Sequence, residues 1–190
     1  MTQHLKDLHV HGIVEKDKIP SLDLYMDQVT QLFDQTYQKV KRDESEKILT
    51  KTMINNYAKG KLLFPIENKK YSSDQIMLIQ MIYQLKGALS IQDIKQTLDP
   101  LKTAVHEEAL DFDAVYQDYT QLLEMQSRDF TDDLDRIEAS VEALTEDPVL
   151  TNVYTLSALV QMSHMYRRVA ERLVDHLNQP GQDKSVPKEK

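Results

Sequence analysis

The sequence predicts an all-α fold, with a compact unit of short helices followed by a long helical hairpin. Three observations carry this. The 190 residues include only four Gly and six Pro, and the stretch 102–147 contains neither, which favours helix over turns and sheet. Apolar residues recur at steps of three and four along most of the chain, the period of a helix with one buried face. Helix start signals precede several of these runs: Ser72 with Gln75, Ser90 with Asp93, and Asp147 followed by Pro148.

Taken in order, residues 1–18 read as a flexible arm carrying His4, His9 and His11. Ser21 is placed to cap a helix running to about Arg42. Its apolar positions, among them Leu22, Tyr25, Val29, Phe33 and Tyr37, share one stripe. Thr50 caps a second helix of about ten residues, which Gly60 is expected to end in the left-handed conformation. Pro65 holds Phe64 extended, and Ile66 to Lys70 form a short turn. The helix opened by Ser72 is apolar almost all round (Ile76, Met77, Leu78, Ile79, Met81, Ile82), so it belongs at the centre of a core. A further helix from Ser90 is expected to close at Asp99–Pro100.

Beyond Pro100 the pattern lengthens. Phe112, Tyr116, Leu123, Phe130, Ile137 and Val141 repeat at helical spacing on one long helix, whose polar face is acidic. Its first turns, before Asp111, can form a separate short helix. Asp147–Pro148 then opens a helix to about Asn178, with Val153, Leu156, Val160, Met165, Val169, Leu173 and Leu177 expected inward. Such a hairpin has little core of its own, so it must pack on the N-terminal unit, on a twin subunit, or on both.

The run from Leu49 to Leu98 resembles the DNA-binding domain of MerR-type winged helix-turn-helix regulators. Tyr57, Leu62, Leu63, Pro65, Tyr71, Ser72, Leu85, Gly87, Ser90, Ile91, Ile94 and Leu98 fall into that family's spacing. Asn55, Asn56 and Lys61 stand where the family carries an arginine, an aromatic residue and a glycine. The whole chain also resembles a bacterial group catalogued as a domain of unknown function. The MerR resemblance implies a winged helix-turn-helix domain at 19–99, a possible dimerisation region in the acidic hairpin at 100–179, and a homodimer. The disordered tail would be 180–190.

On the helix after Thr50, Ile54 and Tyr57 make an apolar face, while amides and cations make the other. A helix in the major groove needs that division. Lys51, Thr52, Asn55 and Asn56 are therefore assigned to the groove, since Asn can bond adenine through two atoms. Lys59, Lys61, Lys69, Lys70 and Tyr71 are assigned to phosphates. The expected partner is double-stranded DNA and the expected role is transcription regulation.

Charge is divided to match. The net charge is −8, yet residues 39–70 hold nine Lys+Arg against four Asp+Glu, whereas 105–190 hold eight against eighteen. A local basic face steers an anionic partner better than the sum suggests. The alternative is a non-catalytic protein-interaction module on the same scaffold, favoured by Asn55 in place of the family's arginine.

An enzyme is not expected. The chain has no Gly-rich phosphate loop and no His-Glu-x-x-His motif, and its acidic pairs have the spacing of a solvated face. With no Cys, disulfides, thiolate metal sites and Cys nucleophiles are excluded. No cofactor or metal is expected, and the sequence identifies no small-molecule effector. No apolar run reaches a membrane span and the first residues carry no signal-peptide pattern, so a cytoplasmic protein without membrane contact is expected.

Overall fold

The computed structural model describes residues 12–177. The three histidines at 4, 9 and 11, and the tail beyond 177, lie outside the described residues. The described chain is mostly helical. In order it forms β1 (Leu24–Tyr25), α1 (Met26–Tyr37), α2 (Lys51–Lys59), β2 (Lys70–Tyr71), α3 (Ser73–Lys86), α4 (Ile91–His106), α5 (Phe112–Glu142) and α6 (Pro148–Leu177). Among the described residues, no helix is long and apolar enough to cross a membrane.

Helix α3 is the centre, as its all-round apolar pattern predicts. Every residue from Gln75 to Ile82 is buried. Its start is the capping box read from the sequence: Ser72 Oγ accepts from the Gln75 amide at 3.3 Å, and Gln75 Oε1 accepts from the Ser72 amide at 2.9 Å. The same Gln75 donates to the Phe64 and Pro65 carbonyls at 3.2 and 2.8 Å, fixing the extended segment that leads into the turn. Around α3 pack Val29, Phe33 and Tyr37 of α1, Ile54 and Tyr57 of α2, Ile94 and Leu98 of α4, and Phe112 and Tyr116 of α5.

The expected arm is corrected for residues 12–18. Val14 is fully buried, and Ile13 and Ile19 are buried beside it. Gln84 donates to the Gly12 carbonyl at 2.7 Å, the Val14 amide donates to Gln80 Oε1 at 3.3 Å, and Tyr116 donates its hydroxyl proton to the Val14 carbonyl at 2.5 Å. Gln80 and Gln84 also donate to the Tyr37 hydroxyl at 2.7 and 2.9 Å. The segment thus closes the core between α1, α3 and α5. Gly12 is required there, since a Cβ would lie 2.6 Å from the Tyr37 ring.

The first helix is shorter than expected from Ser21 to Arg42. Leu22 is exposed, and Leu24 and Tyr25 are extended because they pair antiparallel with Tyr71 and Lys70. Gln28 Oε1 then accepts from the Tyr25 amide at 2.8 Å to start α1. At the other end the chain tightens into a 3₁₀ turn at Gln38–Val40.

Pro100 does not end α4; it sits inside it. Lys95 and Lys102 both pair with Asp99 beside the ring, the second at 2.8 Å. The expected boundary at 99/100 therefore runs through a helix. Helix α4 ends instead in a Schellman motif with Glu108 left-handed (φ 57°), its amide donating to Val105 and that of Ala109 to Ala104. The turn before Asp111 separates α4 from α5, so the run from 102 is two helices.

At the far tip, Asp147 Oδ1 accepts from the Val149 and Leu150 amides at 2.9 Å and Pro148 takes the first helical position, as predicted. The inward face of α6 is a correction. Val153, Leu156, Val160, Met165, Val169, Leu173 and Leu177 are all exposed. The half-buried side of α6 instead carries Thr151, Thr155, Ala158, Leu159 and Met162, with Ala170 and Val174 reaching the core.

Candidate nucleic-acid interface

Helix α2 forms where the sequence places it. Thr50 caps it by accepting from the Met53 amide at 3.2 Å. Ile54 and Tyr57 dock inward with 0% and 2% exposure. Lys51, Thr52, Asn55, Asn56 and Lys59 are all exposed, so the structure gathers these five assigned side chains outside the core. The Tyr57 hydroxyl is buried without a hydrogen-bond partner, and burial pushes its pKa up to about 12.

The end of α2 differs in one residue. Gly60 is right-handed, and Lys61 takes the left-handed conformation (φ 57°). The Lys61 amide donates to Ala58 and the Leu62 amide to Tyr57, both at 3.0 Å, completing a Schellman motif. That geometry favours glycine. The Lys61 carbonyl accepts from Lys102 Nζ at 2.7 Å, which brings a cation from α4 to the end of α2. The sequence reading missed Lys102, because its contact is with a residue 41 positions away.

The turn after Pro65 is a tight hairpin. The Lys70 amide donates to the Glu67 carbonyl at 2.9 Å, and Asn68 and Lys69 have φ of 50° and 59°. Two positive values make a type I′ turn, whose twist matches the flanking strands. Lys69 is exposed at its tip. Lysine at φ 59° is strained, so Lys69→Gly is expected to stabilise the fold by about 0.5–1 kcal/mol, read as a higher urea midpoint.

Two assignments change. Tyr71 is 3% exposed; its ring belongs to the core under the hairpin and does not present itself to phosphate. Lys70 is half-buried, with Nζ 5.2 Å from the Tyr25 ring centroid. Lys51 pairs with Asp27. Tyr25 and Asp27 are two residues apart, so these contacts tie the hairpin and the first turn of α2 to one short segment. The result brings Lys51 and Lys70 against one short segment, while Lys59, Lys61 and Lys69 are exposed on the same helix, at its end and on the turn.

No curated protein and no solved structure matches the chain. A family model does match, over residues 14–119. Its limits follow the packed unit: it opens on buried Val14 and closes just after Tyr116, whose hydroxyl holds Val14. The chain belongs to the family described as a domain of unknown function, DUF1836.

Proposed function

We propose that this protein binds double-stranded DNA as a transcription regulator, with α2 in the major groove and the Glu67–Lys70 hairpin as a short wing on the phosphate backbone. The reading takes α1 and α2 as a MerR-like helix-turn-helix. One observation carries it: the shared attachment of Lys51 and Lys70 to the 25–27 segment, which sets the exposed amide and cation face of α2 beside the hairpin. Thr52, Asn55 and Asn56 would read base edges. Lys59, Lys61 and Lys69 would neutralise phosphates, joined by Lys70 if DNA displaces Tyr25, and Lys51 would enter the groove if DNA displaces Asp27.

The test is binding of the purified protein to random-sequence duplex by fluorescence anisotropy across a salt series. Each neutralised phosphate contributes about 0.9 log units of affinity per log unit of salt, so three or four lysines give a slope of roughly −2.7 to −3.6. A flat dependence is incompatible with the reading.

The second reading is a protein-interaction module using the same face. It is favoured by Asp27 and Tyr25, which already occupy two of the five lysines. Under it, duplex DNA does not bind at low salt.

A further inference from the structure

Near the tip of the hairpin, α5 and α6 leave between them a cavity of about 530 Å³ that neither the fold nor the DNA reading uses. Its size is within the roughly 300–1,000 Å³ of small-ligand pockets. Ile137, Val141 and Leu144 line it from α5, and Tyr154, Ala158 and Met162 from α6. Steps of three and four turn one face of each helix to the gap. Ser140 and Ser157 also line it and, like Ala158, are small, so the side chains do not fill the space. The two serines add little polarity. Ser140 donates its hydroxyl proton to the Arg136 carbonyl at 2.8 Å and Ser157 to the Val153 carbonyl at 2.7 Å, each within its own helix. The wall therefore suits an apolar body.

The charges around the gap are one-sided. From Arg128 to Asp147 the chain carries eight carboxylates against two arginines, and residues 148–166 carry no Asp, Glu, Lys or Arg. Asp133 and Arg136 line the cavity themselves and pair with each other. The Asp133 side chain is 31% exposed, whereas that of Arg136 is 76% exposed and stands out in solvent. We propose that the cavity binds a small amphiphilic cation, an alkyl- or arylammonium. Its apolar body lies between α5 and α6, and its ammonium replaces Arg136 on Asp133. From Asp133 to Leu144 the lining runs about 16 Å along α5, so an elongated body fits with its head at Asp133.

Charge complementarity decides the sign of the head. A cleft walled by one sign of charge concentrates the opposite ion. A carboxylate head would have to draw Arg136 off Asp133 and then sit among the remaining carboxylates. A neutral molecule gains the apolar wall but nothing from the field. The Asp133–Arg136 pair lies within one helix and at the surface, so exchanging its guanidinium for a ligand's ammonium costs little. The site belongs to the hairpin alone and does not depend on DNA binding.

The test uses one tail with three heads: octyltrimethylammonium, octanol and octanoate, each titrated calorimetrically with the full chain below any micelle concentration. Octyltrimethylammonium should bind at one site per chain and octanoate at least about tenfold more weakly, with octanol between them. Asp133→Asn should lower the affinity for the ammonium about tenfold and leave octanol unchanged. Arg136→Gln removes the competitor and should raise the ammonium affinity severalfold. Ser157→Phe puts a ring into the gap from an exposed position, so all three probes should be lost with helicity by circular dichroism unchanged. Absence of saturable ammonium binding overturns the proposal. So does octanoate binding as tightly, or binding that Ser157→Phe leaves intact. Weaker ammonium binding by Arg136→Gln overturns it too, since Arg136 would then not compete for Asp133. A chain that self-associates through the gap, with a mass by light scattering that Ser157→Phe reduces and no probe bound, also overturns it. Arg136 is exposed, so its variant decides the charge question even if Ser157→Phe misfolds.

Discussion

Tyr116→Ala is expected to destabilise the protein by about 3–5 kcal/mol, the range for removing a buried aromatic ring. The ring is fully buried, lies 6.0 Å from that of Tyr119, and reaches the Val14 carbonyl through its hydroxyl at 2.5 Å. Alanine would leave a cavity at the junction of α5, α3 and the 12–14 segment, and would strip a buried carbonyl of its donor. Tyr116→Phe keeps the ring and loses only the hydrogen bond, so it should cost about 1–2 kcal/mol. Urea unfolding followed by circular dichroism separates the two. A loss below about 1 kcal/mol for the alanine variant would mean that the 12–14 segment is not held as described.

The second large effect concerns binding. Lys59→Glu combined with Lys69→Glu should lower affinity for duplex DNA on the order of a hundredfold at low salt, and should reduce the salt slope by about two phosphate equivalents. Both side chains are exposed, one on α2 and one on the turn, so folding should be unaffected. The matched control puts the same charge change on α5, as Arg128→Glu with Arg136→Glu. That variant becomes equally acidic but keeps the proposed face, so it should lose far less affinity. Equal losses in the two variants would reduce the effect to net charge.

What the sequence made legible was local. Thr50, Ser72 with Gln75, Ser90 with Asp93, and Asp147 with Pro148 each signal a helix start within four residues, and each cap is present. The burial of α3 follows from its lack of a polar face. The division of α2 into Ile54 and Tyr57 inside and Lys51, Thr52, Asn55, Asn56 and Lys59 outside follows from helical period alone.

The misreadings share a different cause, interactions that are remote in sequence. Leu24 and Tyr25 look like helix until Tyr71 and Lys70 are brought alongside. Ile13 and Val14 are two apolar residues in a polar stretch, and the bonds that hold Val14 come from 66 and 102 positions away. The two left-handed helix ends, Lys61 and Glu108, carry no glycine to announce them. In α6 the periodicity was read correctly as amphipathic, but period does not say which neighbour covers a face. Thr151, Thr155, Ala158, Leu159 and Met162 are half-buried, while Val149, Val153, Leu156 and Val160 remain outside.

The central claim is that α2 and the hairpin together form a nucleic-acid face. The most direct measurement is the change in backbone amide resonances of the full-length, isotope-labelled protein on addition of a short duplex at low salt. The account predicts shifts concentrated in Lys51–Lys61 and Glu67–Lys70, with α5 and α6 unmoved. Shifts confined to α5 and α6, or none at duplex excess from a folded protein, would contradict it.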